Sequence, residues 1–185
     1  MAYTAFDRLV AWLRFRAALP HIRPRTRVCD IGCGHGARFL HNLGSHIKFG
    51  VGVDYQDLEP DSAKALVRCD ITQGIPLGSE QFDHVVMLAV FEHLAEPQPI
   101  LREIFRILVP AGSLIMTWPE ALVDPLLEIL HAIGFVSQEM ESGKHQARSP
   151  LPKVISMLEE VGFTHAQHRK FEFGLNNLVV CYKRP

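Results

Sequence analysis

Residues 28–36 read Val-Cys-Asp-Ile-Gly-Cys-Gly-His-Gly, and no other stretch of the chain narrows its fold as much. A short apolar strand, 26–31, runs into three glycines on alternate positions, Gly32, Gly34 and Gly36, and a helix-like segment, 37–43, follows. Glycines at a strand-to-helix turn permit positive φ and let a ligand approach the main chain with no Cβ in the way. The first N–H groups of the helix point back into the same crevice. This is the geometry of a nucleotide-type site in a doubly wound sheet. Alone, a Gly-x-Gly pattern is more often a tight turn, so the rest of the chain has to support the reading.

Two acids do so. After a second apolar strand, 49–53, stands Asp54, eighteen residues beyond Gly36. A carboxylate at that strand end can accept from both vicinal hydroxyls of a ribose. A third strand, 65–69, ends in Asp70, from where a carboxylate can accept from an adenine amino group. Each acid alone reads equally well as a cap for the element that follows it. Both together, in register with the glycines, favour a ligand. Asp30 then separates the cofactors. A carboxylate two residues before Gly32 would oppose a pyrophosphate, which is held at a helix N-terminus by its negative charge. It suits a ligand that carries a cation. A ligand combining adenine, ribose, a positive sulfur and an α-amino acid is S-adenosylmethionine.

The segments 28–36, 52–54, 68–71, 82–94 and 101–119 resemble the successive motifs of the class I S-adenosylmethionine-dependent methyltransferases, in particular the small-molecule branch with the ubiquinone- and glycan-pathway enzymes. The likeness runs through roughly residues 25–120 and resumes weakly at the C-terminus. It implies that Gly32 and Gly34 approach the methionine part, Asp54 binds the ribose, and Asp70 with the Ile71 amide binds adenine. The cofactor-binding set expected on this basis is Asp30, Gly32, Cys33, Gly34, Gly36, Asp54, Tyr55, Asp70, Ile71, Leu88 and Ala89. His35 departs from the family pattern, which often has a small hydroxyl residue there.

At 185 residues the chain is expected to be a single α/β domain: an N-terminal helix and connector over 1–24, a cofactor-binding core over 25–118, a variable substrate cover over 119–150, and a C-terminal helix and hairpin over 151–185. The expected sheet is seven-stranded, doubly wound and Rossmann-like, mostly parallel, with a closing antiparallel β-hairpin. Nineteen basic and twenty acidic residues give a net charge of −1, which argues against a general nucleic-acid binder. The exception, His21-Ile-Arg-Pro-Arg-Thr-Arg27, reads more naturally as a solvated connector than as a phosphate patch. The expected partner is therefore a small-molecule or carrier-linked acceptor, with the chain a monomer or homodimer. Cys29, Cys33, Cys69 and Cys181 lack paired metal-ligand spacing, so no metal is expected. No signal peptide or bilayer-length apolar run is visible, which makes a reduced, cytoplasmic setting the default.

Periodicity predicts helices over 4–19, 36–44 and near 60–66, strands over 48–54, 66–70 and 83–88, a helix on Ile100, Leu101, Ile104 and Leu108 closed by Pro110-Ala-Gly112, and a strand over 113–117. A helix over 125–134, a polar loop over 137–150, a helix from Pro150 to Gly162, an edge strand over 164–173 and a last strand over 178–182 complete the series.

Methyl transfer is an in-line displacement in which the cofactor carries the activated group, so the protein chiefly positions the nucleophile. His93, in Phe91-Glu-His-Leu94 after strand four, is a candidate base, with capping the blander alternative. Trp118 is as readily core as pocket wall. His145, with Arg148, is a second candidate in a loop that reads equally as solvated, and Tyr3 and Phe6 could close over the cofactor. His165 and His168, three apart in a polar strand, do not make one site. The competing readings are a nicotinamide-dependent oxidoreductase, opposed by Asp30 and Asp70, and a non-catalytic methyltransferase-like binding or regulatory subunit.

Overall fold

The computed structural model describes residues 5–57, 65–120 and 150–185. Seven strands form one sheet: β1 (Arg27–Ile31), β2 (Phe49–Asp54), β3 (Ala65–Arg68), β4 (Phe82–Leu88), β5 (Leu108–Pro119), β6 (Phe163–Phe171) and β7 (Asn176–Lys183), in the order β3-β2-β1-β4-β5-β7-β6. The first five pair in parallel and β7 is antiparallel to both β5 and β6. The expected mixed, seven-stranded sheet with a closing hairpin is what forms.

Among the described residues, four helices cover the two faces: α1 (Ala5–Ala18), α2 (Arg38–Leu43), α3 (Pro97–Ile107) and α4 (Leu151–Val161). Because successive strand residues point to opposite faces, one run of apolar residues feeds two cores. Cys29, Ile31, Val85, Met87, Leu114 and Met116 pack under α3 and α4. Val28, Val86, Ile115, Leu178 and Val180 pack under α1 and α2. On α3, Ile100, Leu101, Ile104 and Ile107 are buried, each contributing about 1.5–3 kcal/mol. Gly162, in the left-handed region at φ 115°, ends α4 with its N–H on the carbonyls of Leu158 and Glu159. None of the described helices is long and apolar enough to cross a membrane.

Four boundaries differ from expectation. α3 ends at Ile107 and β5 begins at Leu108, which is already extended at φ −74° and ψ 138°, two residues before Pro110. The Pro110-Ala-Gly112 segment becomes an irregularity in the β4–β5 ladder, with Ala111 at φ 60°. α2 starts only at Arg38, since the turn before it consumes Gly34 at φ 69° and Ala37 at φ 41°. Residues 65 and 66, read both as the start of the third strand and as the end of a short helix, open β3, and the rest of that helix lies outside the described residues. So do the expected helix over 125–134, the loop over 137–149, Tyr3 and His145. On α1, where the helical spacing of Phe6, Leu9, Val10, Leu13 and Ala17 predicts an inward stripe, Ala17 is buried but Leu9 is 50% exposed; outside that stripe Ala18 is buried and Trp12 is 46% exposed. In β6 a bulge at His165 (φ 54°) lets Phe163 and Ala166, three apart, pack on the same core.

At the amino edge of the sheet, Arg27 grips Asp83 through Nε and Nη2 and through its backbone N–H, tying β1 to β4. Beside it, the buried ring of His84 accepts the Arg23 N–H at Nε2 (3.1 Å), which leaves the proton on Nδ1 to donate to Ser113 Oγ (2.7 Å). Burial, reinforced by the Arg23 charge, depresses the His84 pKa to about 4. The unfolded imidazole protonates near its ordinary 6.5 and the folded one does not, so this stability is present above pH 6.5 and is lost as pH falls towards 4. Replacing His84 with Gln should remove up to about 3 kcal/mol of that pH dependence. Urea unfolding at pH 7 and at pH 4.5, wild type against variant, measures it.

Candidate cofactor site

β1 ends in the glycine turn, and the turn is locked to its neighbours by main-chain contacts. The N–H groups of Gly32 and Cys33 both donate to the Val53 carbonyl at the end of β2 (2.8 and 3.2 Å). Gly32 lies at φ 71°, and a Cβ there would meet Val90 Cγ2 at 2.2 Å, so the segment after β4 seats directly on the turn. Gly34, at φ 69°, is different: a Cβ built on it would meet nothing within 4 Å. Its main chain therefore borders open space.

Asp54, buried at the end of β2, frames that space. Its Oδ2 accepts the Gly34 N–H (2.8 Å) and its Oδ1 accepts the Gln56 N–H (3.0 Å), leaving a second lone pair on each oxygen. Asp30 is buried at the end of β1, paired in register with Gly52 of β2. Burial, and then the charge of Asp54, push its pKa up to about 8. Two buried carboxylates beside an open glycine turn make a site with unspent affinity for a cation and for hydroxyl donors. That donor set fits S-adenosylmethionine, whose ammonium and sulfonium are cationic and whose ribose offers a diol.

The other predicted residues divide. Asp70 is exposed and its Oδ1 takes the N–H and the hydroxyl of Thr72 (2.9 and 2.7 Å), which caps the 3₁₀ turn Ile71–Gln73 and holds the carboxyl below its ordinary range. Ile71 follows it, half-buried, while Tyr55 after β2 is 68% exposed. Ala89, at φ 56°, turns the chain off β4 beside half-buried Leu88, with its N–H on the Thr117 carbonyl (2.9 Å). The side chain of Cys33 packs towards Gly52, where a Cβ would stand 2.8 Å from its sulfur, so Cys33 can offer a ligand main chain rather than thiol. Burial and the charges of Asp30 and Asp54 drive that thiol's pKa upward. His93 is exposed on the 3₁₀ turn Phe91–His93, whereas Glu92 is buried beside Phe91. Trp118 is core, its ring 6.0 Å from that of Phe91.

Sequence reasoning missed a second group of polar residues at this edge. β7 starts where β5 ends, with Asn176 opposite Pro119 and Asn177 opposite Trp118. Among the described residues, Thr117 Oγ1, Glu172 Oε1 and Asn176 Oδ1 are buried and accept or donate no hydrogen bond. Glu172 contacts the Asn176 amide, and burial raises its pKa despite the opposing charge of Arg14. These residues come from β5, β7 and the turn between β6 and β7, and no local pattern links them.

The pKa of Asp30 carries a stability consequence. Its folded value is raised, so the contribution is complete below the ordinary 3.8 and is lost as pH rises through about 8. Asp30→Asn should therefore stabilise the free protein at pH 8, by ~1 kcal/mol or more, and change little at pH 4. Thermal unfolding at the two pH values tests the sign.

Residues 29–116 match the family model described as methyltransferase domain. Among curated proteins, the chain is 28% identical to the tRNA U34 carboxymethyltransferase of Glaesserella parasuis, over 90% of this chain and 58% of that one. It is 30% identical to the Haemophilus influenzae enzyme of the same name, over 80% and 49%. To the human protein named "Probable tRNA methyltransferase 9B" it is 32% identical, over 57% and 24%. The chain thus spans less than two thirds of each of these relatives. Among solved structures, a chain of the complex between the Haloferax volcanii Trm112 methyltransferase activator and its methyltransferase superposes with TM-score 0.69 at 17% identity, covering both chains fully. An S-adenosylmethionine-dependent methyltransferase from Mesorhizobium loti gives 0.70 at 17% identity, over 93% and 97%. At such identities these likenesses establish the fold. The curated names correct one expectation: relatives named for tRNA overturn the small-molecule or carrier-linked acceptor and the exclusion of nucleic acid. A charge balance counted over the whole chain averages away any one basic face.

Proposed function

We propose that the chain is a class I S-adenosylmethionine-dependent methyltransferase and that it methylates a nucleic-acid acceptor of the tRNA class; the methyltransferase-domain match over residues 29–116 and the relatives named for tRNA support this reading. The observation that carries the cofactor half is the buried Asp30–Asp54 pair beside the open main chain of Gly34. In this reading Asp54 holds the ribose diol on the lone pairs that Gly34 and Gln56 leave, and Asp30 faces the cationic methionine portion. Asp70, with the Ile71 amide, lies against adenine, and Cys33, Gly36, Leu88 and Ala89 supply main chain and apolar surface. S-adenosylmethionine, when bound, supplies a methyl group already activated on a positive sulfur.

The residues of the chain then bind and orient. Thr117, Glu172 and Asn176 offer buried oxygens with spare hydrogen-bonding capacity at the carboxyl edge, where an acceptor base would be oriented. Glu172, whose pKa burial raises, offers its Oε1 to a hydrogen-bond donor there. His93, exposed on the turn after β4, is the candidate general base, while His145 lies outside the described residues. A nicotinamide cofactor is disfavoured by the same Asp30, because a pyrophosphate there would bring no cation to the buried carboxyl and would hold it in its neutral form.

Calorimetric titration with S-adenosylmethionine, S-adenosylhomocysteine and NAD tests the cofactor assignment. The first two should bind, and Asp54→Ala should weaken both by about tenfold or more, since the lost contacts are charge-assisted. Binding of NAD alone would refute the reading. Asp30 adds a pH signature: a cationic ligand beside a carboxyl titrating near 8 releases its proton. Affinity for S-adenosylmethionine should therefore rise as pH approaches 8, and Asp30→Asn should flatten that slope.

A further inference from the structure

Between Arg8 and Val53 the chain carries eight arginine or lysine residues and a single acid, Asp30, which is buried. The net charge of −1 is thus a sum over two unlike parts; within the basic part Arg27 is taken up by Asp83, while Arg8, Arg16 and Arg38 stand on α1 and α2. A cleft of about 220 Å³ opens between these two helices, lined by Arg8, Trp12, Phe15, Arg38, His41 and Asn42. Trp12 is half exposed, and the guanidinium of Arg16 lies over its ring, 4.8 Å from the centroid. Phe15, tilted against Phe39 at 5.1 Å, anchors the floor to the core.

We propose that this cleft is an RNA-docking groove, in which Trp12 stacks on an unpaired base while Arg8, Arg16 and Arg38 neutralise the flanking phosphates. The proposal rests on the tRNA-class acceptor proposed above and adds to it the surface that holds the substrate. Each component has a physical reason. Aromatic rings give sequence-tolerant stacking to single-stranded bases, and arginine provides both cation–π contact and phosphate pairing. Leu9 and Trp12, three apart on α1, are both about half exposed, so the apolar surface here is a patch rather than a single side chain. The cleft is of a size to hold a base, with Asn42 and His41 along its wall. Arg38, which lines the cleft, opens α2 directly after the glycine turn, so only a short stretch of chain separates the cleft from that turn.

The experiment is filter binding of unmodified bulk tRNA to the full chain across a series of KCl concentrations, with S-adenosylhomocysteine affinity measured in parallel for every variant. Trp12→Ala should weaken tRNA binding about tenfold, and Trp12→Phe should keep most of it. Arg8→Ala combined with Arg16→Ala should lower the dependence of log affinity on log salt by about two. S-adenosylhomocysteine affinity should be unchanged throughout, because none of these side chains belongs to the cofactor crevice. If the variants bind tRNA as the wild type does, the groove is not the docking surface, while the RNA acceptor stands. Absence of tRNA binding by the wild type at low salt, with S-adenosylhomocysteine bound, overturns both the groove and the acceptor class. Binding of phosphatidylserine vesicles in place of tRNA, lost in Trp12→Ala, assigns the face to a membrane surface and also overturns the proposal.

Discussion

The missing side chain at Gly32 is the contact on which this molecule turns. A methyl group there would fall 2.2 Å from Val90, so the first turn and the segment after β4 can close on each other only because position 32 is bare and its φ is positive. That closure brings the ends of β1, β2 and β4 into one crevice, with Val53 accepting two N–H groups from the turn. Everything proposed for the cofactor depends on it. Asp30, Asp54 and Ala89 belong to three different strand ends, and a turn displaced by a methyl group would leave them as three isolated features.

The two buried carboxylates illustrate how a site stores affinity. Placing Asp30 out of water beside Asp54 is unfavourable for the free protein, and the raised pKa of Asp30 measures that disfavour. A cation delivered to the same place removes it. Functional groups of this kind lower stability where they sit, and the apolar layers under α3 and α4 offset the cost.

Much of this architecture was readable from local pattern. The glycine turn, the central strands and the acids at their ends depend on neighbours within a few residues, and the sheet order follows from short β–α repeats with right-handed crossovers. The failures have a common cause in tertiary context. Leu9 sits at helical spacing with Val10 and Leu13, yet the sheet offers α1 room to bury chiefly Ala17 and Ala18. Cys33 lies within the motif, but Gly52 across the strand pair provides the space that draws its side chain away from the crevice. Asp70 does have the capping geometry that a lone acid suggests, and Trp118 went to the core. Thr117, Glu172 and Asn176 were invisible because only the antiparallel return of β7 brings them to one edge.

That return has a topological effect of its own. β7 begins at the crevice and ends at the opposite rim, where Tyr182 pairs with Ser113, Lys183 pairs with Phe163, and the Lys183 ammonium reaches the Leu108 carbonyl. Any polypeptide joined after Pro185 leaves the molecule from the far side. The C-terminal junction is thus insulated from the chemistry, and a fusion partner or surface tether placed there would hold the protein with its crevice facing outward.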